Sequence, residues 1–325
     1  MKAKRSLIII GLLGMAMIAN VYGKDREYWV SAEKVLWDYA PTGENKIKPA
    51  EGLGVWGQTH VYEKYRYIQY TKDFGKVVDQ PKWMGILGPQ LRAVEGDKLV
   101  VHFRNSADKP LSMHPHGVRY TPQNDGADYA FTKNEGAKVM PGNTFTYEWE
   151  ATADAAPGPN DPSSIVWVYH SHVDSVTEIY DGLIGTIVIT KKGFERSKSD
   201  PRPKDVDAEF TTLYMVFNEE GDVEGGLMHS LNGYIFGNLE GYVVHKNDRA
   251  RWYLVGMGTE VDMHTAHWHG QTVVYDGRRT DVVELLPTSM KTVDMTAVNP
   301  GTWLYHCHVT DHITAGMMTR WTVLD

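Results

Sequence analysis

Two stretches of this chain, WVYHSHV at 167–173 and WLYHCHV at 303–309, repeat one frame 136 residues apart, Trp167 to Trp303. Upstream of each stands a His-x-His-Gly, HPHG at 114–117 and HWHG at 267–270. A repeat at this spacing marks an internal duplication, so both halves must reach one fold. On an extended strand successive side chains point to opposite faces. Each His-x-His therefore sets two imidazoles on one face and the middle residue on the other.

The rest of the chain agrees with strands. Short runs rich in Val, Ile, Thr, Tyr and Trp (LVVHFRN, TFTYEWEA, LIGTIVIT, ARWYLVGM, KTVDMTAV, MTRWTVL) alternate with Gly and Pro turns, and no long stretch keeps a helical period. This is the pattern of an all-β sandwich or barrel. At 325 residues the chain suits two domains. The charged, proline-bearing segment around 193–208 reads as a linker between a first domain at 24–192 and a second at 209–325. Residues 24–80 precede the repeat and are expected to give the first strands of domain one with irregular structure. Residues 1–23 carry Lys2, Lys4 and Arg5, an apolar run from Leu7 to Ala19 and small residues near Gly23, the pattern of a cleaved secretory signal. An exported, periplasmic or secreted protein with no membrane span after cleavage is expected. The formal charge of −8 becomes −11 without those three cations, which disfavours nucleic acid and attracts cations.

Four His-x-His pairs, His114/His116, His170/His172, His267/His269 and His306/His308, use eight of the 14 histidines. Imidazoles gathered without carboxylates favour copper or zinc. Sulfur discriminates. Cys307, the only cysteine, cannot form an internal disulfide. With His264, His312 and Met317 it completes two imidazoles, one thiolate and one thioether, the ligand list of a blue-copper electron-transfer site. A structural zinc site would want more cysteines or a Cys₂His₂ spacing.

HPHG, YHSHVD, HTAHWHG and HCHVTDHITAGM together resemble the four copper motifs of the multicopper oxidases, within them the two-domain, small-laccase type, over most of residues 85–325. The resemblance implies two cupredoxin-like Greek-key β-sandwich domains and four copper ions per chain. Type 1 copper would take His264, Cys307, His312 and Met317; type 2 copper His114 and His267. One type 3 copper would take His116, His170 and His308, and the other His172, His269 and His306. Cys307 would pass each electron to its neighbours His306 and His308, and O₂ would be reduced to water at the trinuclear cluster. Ser171, where Cys307 would be, implies no second blue copper. Asp125 is expected to relay protons and Tyr120 to serve in redox or hydrogen bonding. Because each domain holds half of the cluster, a homotrimer with clusters at subunit interfaces is expected.

Phenols and aromatic amines are the leading expected reductants. The alternative is Fe(II) or Cu(I): MHSLNGYIFGN, GPNDPSS and VTDH resemble ceruloplasmin-type ferroxidases, and Glu224, His229 and Asp311 match their iron-binding positions. A copper nitrite reductase is the remote alternative, since that family places its blue copper in domain one. A copper carrier would need no cluster ligands.

Overall fold

The chain is described by a computed structural model over residues 23–129, 134–259 and 262–325. All of the expected signal segment except Gly23 lies outside the described residues. The first half contributes β1 (Asp25–Asp38), β2 (Val61–Tyr70), β3 (Leu91–Val94), β4 (Lys98–Asn105), β5 (His114–Pro115), β6 (Thr144–Glu150), β7 (Ser164–His170) and β8 (Ile184–Thr190), with helix α1 (Ser175–Tyr180) between the last two. They form two facing sheets, ordered β2-β1-β4-β6 and β3-β8-β7-β5. Residues 39–60 hold only short 3₁₀ turns, as expected of this irregular stretch.

The second half contributes β9 (Ala208–Asn218), β10 (Leu227–Leu231), β11 (Val243–His245), β12 (Arg249–Gly256), β13 (His264–Trp268), β14 (Val273–Tyr275), β15 (Arg278–Thr280), β16 (Val282–Leu285), β17 (Ser289–Thr296), β18 (Gly301–Cys307) and β19 (Met318–Leu324), with α2 (Thr310–Thr314) after β18. Its sheets run β10-β9-β12-β17-β14-β15 and β11-β19-β18-β13-β16. The fold is all-β, in cupredoxin-like sandwiches.

The duplication is visible atom by atom. His116 N–H donates to the Val168 carbonyl at 2.8 Å, and His269 N–H to the Leu304 carbonyl at 3.0 Å. Pairing sets His114 opposite His170 and His267 opposite His306. The glycine closing each His-x-His-Gly has φ of +74° (Gly117) and +75° (Gly270). A Cβ there would come within 2.1 Å of the Trp167 ring and 2.8 Å of the Trp303 ring. The two motifs of each half are thus one mated unit, in which the tryptophan occupies the space that only glycine leaves.

Each sandwich has its own core, and a third joins them. Val166, Val168, Ile184 and Val188 from β7 and β8 pack with Leu213, Met215 and Phe217 of β9 and Tyr253 and Val255 of β12. Strands β8 and β9 are buried on both faces, which is why IGTIVIT and FTTLYMVF read as continuous runs instead of alternating ones. Polar contacts add to this junction. Arg251, fully buried on β12, donates to Ser163 and Ser164 at 2.7 Å each and to Asp294 at 2.7 and 2.9 Å. Ser163 and Ser164 end the GPNDPSS motif, whose place is therefore the seam between the halves.

Replacing Arg251 with Met would remove the buried cation on which Ser163, Ser164 and Asp294 converge and leave Asp294 paired with the exposed Arg249 alone. The expected loss is roughly 2–4 kcal/mol, below that of a fully buried pair because the Asp294 side chain keeps 15% of its surface in water. Urea denaturation measures it, and an unchanged midpoint would show that the cluster adds nothing to stability.

Candidate metal centres

Strand β18 builds the first centre. It turns Tyr305 and Cys307 into the core of the second half and His306 to its other face. The following helix α2, only five residues long, brings His312 back over the sulfur. Cys307 Sγ lies 3.6 Å from His312 Nδ1 and 4.0 Å from His264 Nδ1, and the two nitrogens are 3.2 Å apart. Met317 is fully buried in the same core cluster as Cys307, and its N–H donates to the His312 carbonyl at 2.9 Å. Thr265 N–H donates to the sulfur at 3.4 Å.

Burial holds His264 down to about 3, lowers His312 and raises the Cys307 thiol. Two neutral imidazoles with free lone pairs around a thiol that only a cation would ionise fit a copper ion well. The first half has the same scaffold without the chemistry. There Ser112 N–H donates to Ser171 Oγ at 3.0 Å, and exposed Val176 stands five residues on, where the second half has His312.

The other eight histidines form two quartets. In the first, His114, His116, His170 and His172 have ring centroids 5.0–5.7 Å apart. In the second, His267, His269, His306 and His308 lie 4.9–5.4 Å apart. Backbone carbonyls fix the tautomers. Nδ1 of His114, His170, His267 and His306 approaches the carbonyls of Asp125, Ser171, Asp281 and Cys307 at 2.7, 2.8, 2.9 and 2.6 Å. A carbonyl can only accept, so Nδ1 carries the proton and Nε2 is left bare for a metal.

Bare Nε2 of His170 faces His116 Nε2 at 3.0 Å, and that of His306 faces His269 Nε2 at 3.1 Å. Burial lowers His116 to about 4, His170 to about 3 and His306 to about 4, which keeps those lone pairs available. The donor sets fit copper or another cation that takes imidazole nitrogen.

Among the described residues no ring contact joins the two quartets. The metal-competent trios His114/His116/His170 and His267/His269/His306 are separate groups. The second quartet opens to solvent, with His269 and His308 exposed. Asp125 is buried beside the first: its carboxylate oxygen lies 3.1 Å from His114 Nδ1. Tyr120 is half-buried, 6.0 Å from the His114 ring. Burial, then the charge of and hydrogen bond to Asp125, push the Tyr120 hydroxyl up to about 12.

The predicted iron-binding residues are only partly brought together. His229 and Asp311 line a cleft of about 240 Å³ that also exposes an edge of His312. Glu224 sits on an exposed 3₁₀ turn outside the lining. Asp222 and Asp262, which sequence reasoning missed, are in the lining instead.

Models of multicopper oxidase domains match residues 84–193 and 203–325. The chain belongs to the multicopper oxidase family. This multicopper oxidase is 34% identical to ferroxidase HEPHL1 of Homo sapiens over 98% of its length and 30% of the relative's. It is 34% identical to human hephaestin over 93% of its length and 29% of the relative's. Human ceruloplasmin matches at 32% over 98% and 33%. The chain thus spans about a third of the length of these curated relatives.

Among solved structures, the multicopper oxidase mgLAC superposes with a TM-score of 0.65 at 21% identity, covering 92% of this chain and 86% of that one. A blue copper oxidase from Nitrosomonas europaea gives 0.62 at 23%, covering 92% and 86%. These two support the fold. Family membership implies copper as the metal of these sites. No helix among the described residues is long and apolar enough to cross a membrane.

Proposed function

We propose that this multicopper oxidase is an exported ferroxidase that oxidises Fe(II) at the cleft against His312 and works as a ring of three chains. The observation that carries the iron reading is the lining of that cleft. Asp222, Asp262 and Asp311 supply hard carboxylate oxygens and His229 one imidazole, beside the edge of a ligand of the Cys307 centre. Such donors suit iron and hold Fe(III) more tightly than Fe(II), which favours electron loss. Cu(I) prefers thiolate and thioether, and a phenol an apolar seat; the lining holds no sulfur, and its apolar members Tyr180, Val216 and Leu227 share it with three carboxylates. The named ferroxidases among the relatives support the same reading, which displaces phenols as the leading expectation.

Copper bound by His264, Cys307, His312 and Met317 would accept one electron at a time, and copper in the histidine quartets would reduce O₂ to water, four ions per chain in all. The protein's part is positioning and proton supply. His312 is both cleft wall and donor at the Cys307 centre, so its ring joins the iron seat to the sulfur. One peptide bond on each side joins Cys307 to His306 and His308, both members of the second quartet. Four Fe(II) give one electron each while O₂ takes up four protons. Asp125, buried against His114, is the carboxylate placed to hand those protons in, and Tyr120 keeps its own proton while bonded to it.

Because one chain holds the two quartets apart, a complete cluster forms where the first quartet of one chain meets the second of the next, a heterologous contact that closes into a ring.

Substituting Asp311 by Asn or His229 by Gln should lower kcat/KM for Fe(II) roughly 10- to 100-fold, the range seen when groups around a metal are removed, and change that for a phenol far less. Glu224→Ala, outside the lining, should have the smaller effect on iron. Equal losses for both reductants would sink the iron assignment and return phenols to first place.

A further inference from the structure

The core of the second half is strongly aromatic. Tyr214, Tyr242, Trp252, Trp268, Tyr305 and Trp321 are all fully buried. Their rings form a continuous ladder. Tyr214 lies 5.8 Å from the ring of His264, Tyr305 lies 6.1 Å from Tyr214, and Tyr242 lies 5.8 Å from Tyr305. Trp83, reaching in from the first half, stacks on Tyr242 at 6.3 Å and 27°. Tyr305 is also the residue before His306, so the ladder starts beside donors of both kinds of centre.

Two features set it apart from ordinary packing. The indole N–H groups of Trp252, Trp268 and Trp321 are buried with no hydrogen-bond partner among the described residues. A phenylalanine or leucine would fill the space without that cost, so filling space does not explain the choice of oxidisable rings. The ladder also reaches the surface. Trp83 is partly exposed and lines a cleft of about 390 Å³ with Gln80, Arg92 and Glu209. Its ring contacts are with Phe210 and Tyr242. Phenylalanine is far harder to oxidise than tyrosine, so among the described residues Tyr242 is the one oxidisable ring in contact with Trp83.

We propose that this ladder carries oxidising equivalents away from the copper donors to Trp83, where a small water-soluble hydrogen-atom donor of the ascorbate or thiol class restores the indole. This rests on the chain being a copper oxidase and not on iron being its substrate. When O₂ is being reduced and the substrate has not supplied the next electron, that electron is drawn from Tyr242 across the rings of Tyr305 and Tyr214, whose own buried hydroxyls have no hydrogen-bond partner among the described residues to take a proton. It is replaced from Trp83. The Tyr242 hydroxyl has Thr212 Oγ1 at 2.8 Å and the Thr211 carbonyl at 3.2 Å, so its proton can shift and return in place. Trp83 ends one electron short and loses its indole proton to cleft water. The donor then returns one electron and one proton, and is itself oxidised by one electron.

The test is oxidation mapping of the copper-loaded protein. The protein is turned over in air with limiting reductant and catalase, then digested, and oxygen adducts are quantified by peptide mass spectrometry. Trp29 is the control, also partly exposed but stacked on His102, which belongs to neither centre. The expected result is several-fold more oxidation at Trp83 than at Trp29, suppressed by added ascorbate. In Tyr242→Phe, compared at matched circular dichroism and blue absorption, Trp83 oxidation should fall to the level of Trp29, and Tyr242→Trp should restore it. Trp83→Phe is the independent second variant, and there adducts should accumulate on Tyr242. Equal oxidation of Trp83 and Trp29 in the wild type, or Trp83 oxidation unaffected by Tyr242→Phe, would overturn the proposal. Loss of Fe(II) specificity would leave this result standing and overturn only the iron reading.

Discussion

Cys307→Ser should give a colourless protein. Thiolate-to-copper charge transfer is the source of the blue absorption, and a serine hydroxyl in the same buried pocket cannot replace the sulfur. The bound copper should fall from about four ions per chain to about three, with the histidine quartets still loaded, because His306, the one quartet donor that β18 carries, points to the face opposite Cys307. Oxidation of any reductant should drop by more than about 100-fold, the upper end of what removal of a mere outer partner costs. Visible absorption, paramagnetic resonance and metal analysis on one preparation check all of this. A variant that stays blue would sink the assignment of Cys307, and one that loses all its copper would show that the centres do not fold independently.

Mixing two inactive variants should restore activity. His116→Ala damages the first quartet and leaves the second; His269→Ala does the reverse. If every cluster is shared between neighbouring chains, each pure variant has only broken clusters. After co-refolding or subunit exchange in equal amounts, an interface is intact when a sound first quartet meets a sound second one. Random assortment around a closed ring gives about a quarter of the wild-type number. Copper content and O₂ uptake would both rise toward that fraction, and light scattering would report three chains. If each chain instead completes its own cluster, mixing restores nothing.

The histidine and cysteine clusters were legible in the sequence because strands convert spacing directly into facing. His-x-His needs no knowledge of the fold to place two imidazoles together, and Cys307, His312 and Met317 follow within one short turn. Other features were hidden because they depend on contacts between distant segments. Asp222 and Asp262 line one cleft with His229, whereas Glu224, at the matching sequence position, lies on an exposed turn outside it. The charged stretch at 193–208 reads as a solvated linker. In the fold Arg196 is bonded to the carbonyls of Pro203 and Val206, and Asp205 joins the cluster around Arg251. GPNDPSS carried no chemistry that could be read locally, because its serines act on a residue 87 or 88 positions away.

The seam between the halves has a geometric consequence. In the proposed ring, the apolar junction and Arg251 would make each chain a wedge whose two mating faces meet at a fixed angle. That angle would decide how many wedges complete the circle, and three require each to turn the next by about a third of a revolution. The count of subunits would then be written inside the monomer, far from the surfaces that touch. Loosening the seam would leave those surfaces intact, yet yield circles of mixed size or open chains that never close.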